Sequence, residues 1–291
     1  MDRRRGPYPR GSAPPITEEE EMTRTLLLVL VSAALAACEE APPTPDGEVP
    51  EPEETLTPDQ PQPIDDPDVE RIHERMMETM APDEGWERAR YLTFDLVAQL
   101  DDGTLRRSHE WDRTQDRARV VQPADDDRQL TADFPIDDHR AGEAWLDDEP
   151  QEGDEAQELL DGAHRSFIND SYWFVMPYKW TDPGVNLEYL GEETDDDGRD
   201  WEVVQLSFDD VGLTPQNMYR AWIDAESGLM ERWQFISEEG AEPSPSEWTD
   251  WQFFGPIQLA TRRIQDGNPR ITFENIRVEE EVPAEAFQDP P

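Results

Sequence analysis

The sequence has little that could crosslink, coordinate a metal or transfer a group. It carries 1 Cys in 291 residues, which excludes an intrachain disulfide and a cysteine-rich zinc site. Lys179 is its sole lysine, so nearly all of its 25 basic residues are Arg. Against them stand 70 Asp and Glu, for a formal net charge of -45. Phosphate backbones would be repelled, so nucleic acid is excluded as a partner. The 4 His (His73, His109, His139 and His164) form neither an H-x-H nor an H-E-x-x-H pair. No G-x-S-x-G turn and no glycine-rich phosphate loop occurs. His109 with Asp112 could support acid–base work, but the pair reads better as the polar end of a strand and its turn. Glu193, Asp195 and Asp197 before Gly198 imitate a calcium loop, yet Val204 stands where a bidentate Glu is required. Residues 195–198 are therefore read as a solvated hairpin turn. The expectation is a protein that is not an enzyme and takes no cofactor or structural metal. Apolar residues make up only 35%, below the globular norm, so part of the chain should lack a core. The 10 Trp, 10 Phe and 6 Tyr are nonetheless enough for one.

What is present begins with an address. After Met22 come Arg24 and an apolar run, Thr25 to Ala34, of signal-peptide length. Leu35-Ala36-Ala37-Cys38 resembles the bacterial lipobox. That resemblance implies cleavage before Cys38 and a diacylglycerol on its sulfur, with the chain held in a membrane. Acyl chains anchor at ~0.8 kcal/mol per buried CH₂. Glu39 after the cysteine favours the outer membrane, facing the periplasm. Met22 reads as the true initiator, because Glu18 to Glu21 would oppose membrane entry. Residues 1–37 are thus a signal peptide, with 1–21 an over-extended start. Residues 39–67 hold 9 Pro and 10 Asp and Glu in 29 residues with no basic residue. They cannot bury enough apolar surface to offset ordering entropy. With lipidated Cys38, the stretch 38–67 reads as a disordered, extended tether.

From Asp68 onward the pattern is that of a single domain, 68–291. Val69, Ile72, Met76 and Met80 recur at helical spacing, with Asp68 as N-cap and Pro82 as terminator. Tyr91 to Leu100 alternates, and Asp102-Gly103 signals a hairpin. Strands are expected over 105–111, 117–122 and 129–134, then an acidic loop over 137–153. A second helix is expected over 154–168, running into the aromatic stretch Tyr172-Trp173-Phe174-Val175-Met176. Strands resume at 186–190, 201–208, 218–224, 229–237, 247–254, 257–264 and 270–279, with turns at Asp197-Gly198, Ser227-Gly228 and Gly267-Asn268. No crossover helices separate the late strands, so the sheet should be antiparallel. The predicted class is α+β: a curved antiparallel sheet or half-open β-barrel, covered on one face by helices.

Several stretches carry a resemblance. They are His109-Glu110-Trp111-Asp112, Pro177-Tyr178-Lys179 with Asp182-Pro183-Gly184-Val185, and Gly212-Leu213-Thr214-Pro215. A fourth is the closing Ile271-Thr272-Phe273-Glu274-Asn275-Ile276-Arg277-Val278 with Val282-Pro283 and Phe287. Together with the helix-then-strands order they resemble the LolA/LolB-like lipoprotein-localization proteins. That resemblance implies an open barrel whose concave apolar face shelters acyl chains, and no catalytic residues. Period-2 alternation nominates Leu92, Phe94, Leu96, Val204, Leu206 and Phe208 as lining, and position beside the second helix nominates Trp173. Two readings follow. One is an anchored lipoprotein that binds acyl chains or another apolar ligand. The other is a structural lipoprotein in which Phe94, Leu206, Phe208, Trp233 and Phe235 fill a solid core and the acidic surface docks a basic protein.

Overall fold

Asp66 opens the first helix, α1 (Pro67–Met80), by accepting the backbone N–H groups of Asp68 and Val69 at 2.9 and 3.4 Å. Pro67 sits in the first turn, where its missing N–H costs nothing. The cap is therefore Asp66, not the expected Asp68, because the proline takes the first helical position. This computed structural model describes residues 61–101, 103–125, 128–209 and 214–287. Cys38, its signal segment, most of the expected tether, Asp102 and Gly212-Leu213 lie outside the described residues. Residues 61–66, expected as tether, lie on the domain. Gln62 donates its N–H to the Thr181 carbonyl at 2.8 Å, and Ile64 packs against the core. The α1 stripe buries Val69, Ile72, Met76 and Met80, as its spacing predicts. Each such side chain contributes roughly 1.5–3 kcal/mol on burial. A single turn, α2 (Gly85–Arg88), follows.

Thirteen strands form one sheet. The first six are β1 (Tyr91–Leu100), β2 (Gly103–Asp112), β3 (Arg117–Pro123), β4 (Gln129–Pro135), β5 (Glu143–Leu146) and β6 (Glu149–Pro150). A long helix, α3 (Gly153–Val175), intervenes. The remainder are β7 (Val185–Thr194), β8 (Asp200–Phe208), β9 (Met218–Asp224), β10 (Met230–Ile236), β11 (Ser244–Phe254), β12 (Ile257–Gln265) and β13 (Asn268–Glu279). The order across the sheet is β6-β5-β4-β3-β2-β1-β13-β12-β11-β10-β9-β8-β7, and the pairings are antiparallel. The chain meanders outward from β1 to one edge, crosses to the other edge through α3, and meanders back until β13 pairs with β1. Edges β6 and β7 do not pair with each other, so the curved sheet stays open. At 1.5 Å per residue, the 23 residues of α3 reach roughly 35 Å, enough to span between distant parts of the curved sheet. This is the α+β architecture expected, a half-open sheet with helices on one face.

Two elements differ from expectation. The stretch 137–153 is not all loop, since it holds β5 and β6. These strands are too short for alternation to show. Their turn uses Asp147 and Asp148 at φ 49° and 69°, the double positive φ that a two-residue hairpin needs. The second helix does not stop at 168 but runs on to Val175, taking in Tyr172, Trp173 and Phe174. Its last turns bury Asp170, Ser171, Trp173, Phe174 and Val175 on several sides of the helix, leaving Tyr172 half-buried. A helix buried on most sides loses the apolar stripe that identifies it.

Candidate functional site

The last two turns of α3 cover the middle of the sheet, and aromatic rings gather beneath them. Phe174 stacks on Phe94 of β1 with centroids 4.1 Å apart and tilts against Phe273 of β13 at 4.9 Å. Trp173 meets Trp233 of β10 edge-on at 4.2 Å. From Trp233 the rings continue to Tyr219 of β9 at 4.8 Å and Trp248 of β11 at 5.8 Å. Tyr219 in turn contacts Tyr172, Phe208 and Phe235. The column thus has a sealed end at Trp248 and Trp233, which are 1% and 2% exposed. Its other end, at Tyr172, Phe208 and Tyr219, is half-buried.

All seven nominated residues fall on the helix-covered side. Leu92, Phe94, Leu96, Val204 and Leu206 are buried, as is Trp173, and Phe208 lies at the half-buried end. They do not form one wall. Leu92, Phe94 and Leu96 stand on β1, six strand positions from Val204, Leu206 and Phe208 on β8. At about 4.8 Å per strand this is roughly 29 Å along the sheet. Phe174 and Tyr172, two apart on α3, join the two patches, Phe174 on Phe94 and Tyr172 on Phe208.

Sequence reading passed over Arg263. Its position was legible, since Ile257, Leu259, Thr261 and Arg263 share one parity of β12 and all are buried. The guanidinium is 0% exposed. It lies 3.4 Å over the Trp248 ring and 5.0 Å from Phe273. It donates to the carbonyls of Ala260, Arg262 and Trp173 at 2.9, 3.2 and 2.5 Å. The Trp173 bond satisfies a carbonyl at the end of α3, where positive charge is favoured. No carboxylate among the described residues pairs with it. Burial alone pushes its pKa well below the ordinary guanidinium value.

His109 does not pair with Asp112. Asp112 caps its own turn, accepting from the N–H groups of Thr114 and Gln115 at 2.8 and 3.2 Å. His109 points inward from β2, opposite Phe94, and its Nε2 lies 2.9 Å from Asp170 Oδ2 on α3. Arg107 Nη1 donates to both oxygens of Asp170 at 2.9 and 3.0 Å, and Asn169 Nδ2 donates at 2.9 Å. Desolvation would raise the Asp170 pKa. The hydrogen bond to His109 and the charge of Arg107 outweigh it, so the carboxyl lies below its ordinary value. The cluster fastens α3 to β2. The missed signal was parity again, since Arg107 and His109 share a face with Trp111. Their partner lies 61 residues further along the chain, as His109 and Asp170 are numbered. The turn at 195–198 is as expected, and its lead residue is spent on the protein itself. The Asp195 carboxyl accepts the Arg199 N–H, the Trp201 indole and the Arg232 guanidinium at 3.0, 3.0 and 2.6 Å. These bonds, that of the Arg199 N–H foremost, hold its pKa at about 2.

Among the described residues no group of His, Cys, Asp and Glu is placed to hold a metal ion, and no helix is long and apolar enough to cross a membrane. No protein-family model matches the sequence, and no curated protein matches it. Solved structures do share its outline. A LolA superfamily protein from Nitrosomonas europaea is 13% identical, with 76% of this chain and 97% of that one covered and a TM-score of 0.43. A DUF1329 family protein from Desulfovibrio piger is 11% identical, over 76% and 97%, at 0.41. A domain described as outer membrane lipoprotein-sorting, from Vibrio parahaemolyticus, is 11% identical, over 75% and 97%, at 0.39. At these identities and scores the likeness is one of chain layout and carries nothing about ligand or activity.

Proposed function

We propose that this chain is a lipid-anchored protein of the bacterial envelope that binds acyl chains or a similar apolar ligand on the helix-covered face of its sheet, without catalysis. The observation that carries this reading is the aromatic column beneath the end of α3. It runs from half-buried Phe208, Tyr172 and Tyr219 inward to Trp233 and Trp173. Partly exposed rings grouped at one place are where an apolar guest would enter. Anchoring rests on the lipobox-like Leu35-Ala36-Ala37-Cys38. The partner of the folded part is then a lipid, and the partner of Cys38 is the membrane. A second reading has its own support. Leu92, Phe94, Leu96, Val204 and Leu206 are each 3% exposed or less, as in a filled core, and the surplus of acidic side chains would suit a basic protein partner.

Lipid extraction of the purified chain followed by mass spectrometry separates the two. Acyl lipid is expected to co-purify and to fall on Tyr219→Ala, which removes a ring of the half-open rim. A lipid-free preparation that also fails to take up a fluorescent fatty acid would favour the scaffold. Separately, Cys38→Ser should release the protein from membranes.

A further inference from the structure

The sealed end of the column gathers polar groups among its rings. Trp233 on β10 pairs across the ladder with Ser246 on β11, and Trp248 on β11 pairs with Arg263 on β12. Cross-strand partners share a face, and residues two apart on a strand share one as well. The four side chains therefore form one patch on three adjacent strands. All are 3% exposed or less. Each keeps a buried polar atom without a partner: Trp233 Nε1, Ser246 Oγ, Trp248 Nε1 and Arg263 Nε. Leaving a buried donor unpaired costs about 1–3 kcal/mol, and native proteins carry few such groups. Bonds to its own strand satisfy Nη1 of Arg263 and the clamp on the end of α3 satisfies Nη2, but nothing satisfies its Nε or the other three. Three of the four can only donate, the hydroxyl can donate, and the one charge is positive. Their complement is a negatively charged group that only accepts.

We propose that Arg263, Ser246, Trp233 and Trp248 form a head-group site, and that the ligand is an acyl amphiphile with an acidic, hydrogen-bond-accepting head, a carboxylate or a phosphate monoester. The head lies at Arg263, and the tail runs outward past Trp233 and Tyr219 to the half-buried rim. Apolar rings around the guanidinium strengthen a charge-assisted bond by excluding water. This assignment rests on the apolar-ligand reading above and adds the chemistry of the head and its orientation.

The test uses the full chain with cis-parinaric acid and its methyl ester as fluorescent probes. The acid is expected to bind about tenfold or more tighter than the ester, the size of one hydrogen bond to a charged group. Arg263→Met should bring the ratio of acid to ester affinity down to about one. Ser246→Ala, which leaves the Arg263 bonds to Ala260, Arg262 and Trp173 in place, guards against misfolding of the first variant. It should lower the ratio of acid to ester affinity several-fold and melt like the parent. Displacement of the bound acid by dodecyl phosphate assigns a phosphate head, and displacement by laurate alone assigns a carboxylate. Either supports the proposal. Displacement by dodecanol as effective as by either acid overturns it. Equal binding of acid and ester by the parent chain overturns the head-group site but leaves an apolar ligand standing. Failure of both probes to bind overturns the two together.

Discussion

His73 and His164 are histidines whose burial works against their protonation. His73 stacks on Trp180 with centroids 6.1 Å apart. His164 lies flat against His139 at 4.1 Å and edge-on to Phe134 at 5.9 Å. Burial lowers the pKa of both below the ordinary 6.5. For His164 the neighbouring His139 lowers it further, whereas Glu87 acts in the opposite sense on His73. With folded pKa values below the unfolded one, the unfolded chain takes up protons first. Their stabilisation is complete above about pH 6.5 and is lost as pH falls through the folded values. Asp161 titrates later, since the hydrogen bond from Arg140 chiefly, and that from His139, hold it at about 2. The melting temperature should therefore begin to fall below about pH 6.5, ahead of the carboxylate region near pH 4. The pair His73→Phe and His164→Phe should abolish this first fall. A melting temperature flat from about pH 8 to pH 5 in the parent would contradict it. At this scale burial was legible wherever a period was regular, as in Met76 and Met80 or Phe94. Partners were not, because nothing in the spacing of His109 points to Asp170.

At the scale of elements, α3 decides the most. It links the two edges of the sheet, and its aromatic end joins the β1 patch to the β8 patch through Phe174 and Tyr172. Gly162 sits inside it, and a Cβ there would meet nothing within 4 Å. Glycine in a helix interior costs about 0.5–1 kcal/mol relative to alanine. Gly162→Ala should raise the melting temperature by roughly 1–4 °C in a domain of this size, read by calorimetry, without altering probe binding. Gly255 is the matched control. It has φ +54° between β11 and β12, and a Cβ there would collide with the Val278 carbonyl oxygen, so Gly255→Ala should destabilise. Most strand bounds could be read from alternation, and Tyr91–Leu100 and Met218–Asp224 agree to the residue. The short β5 and β6 and the last turns of α3 could not. A two-residue strand has no period, and a helix buried on most sides has no stripe.

For the whole molecule, charge is the dominant condition. A net charge of -45 repels itself across the surface. Basic residues are shared out among acids: Arg106 bridges Asp95 and Glu274, and Arg199 bridges Asp224 and Glu231. With the guanidiniums 43–48% exposed, such pairs contribute little individually, so most of the repulsion stays uncompensated. Salt shortens its range from about 10 Å at 0.1 M to about 3 Å at 1 M. The melting temperature should rise by several degrees over roughly that range of sodium chloride. Equal stability in dilute buffer and molar salt would show that self-repulsion is not limiting. The same charge guards the open edge. β7 carries Glu188, Glu192 and Glu193 and a register shift at Gly191, which discourage pairing with another sheet, and β6 ends on Pro150.

The sequence by itself determined the antiparallel sheet, the helix of buried methionines, the acidic surface and which side chains face inward. Each of these is a local pattern of period two, of period 3.6 or of composition. Only the tertiary structure decided that α3 spans between the edges, that His109 meets Asp170, and that Arg263 lies buried among Trp248, Trp233 and Ser246. Those are encounters between segments far apart in the chain. A period tells which way a side chain points, but the curvature of the sheet and the path of the crossing helix determine what it meets.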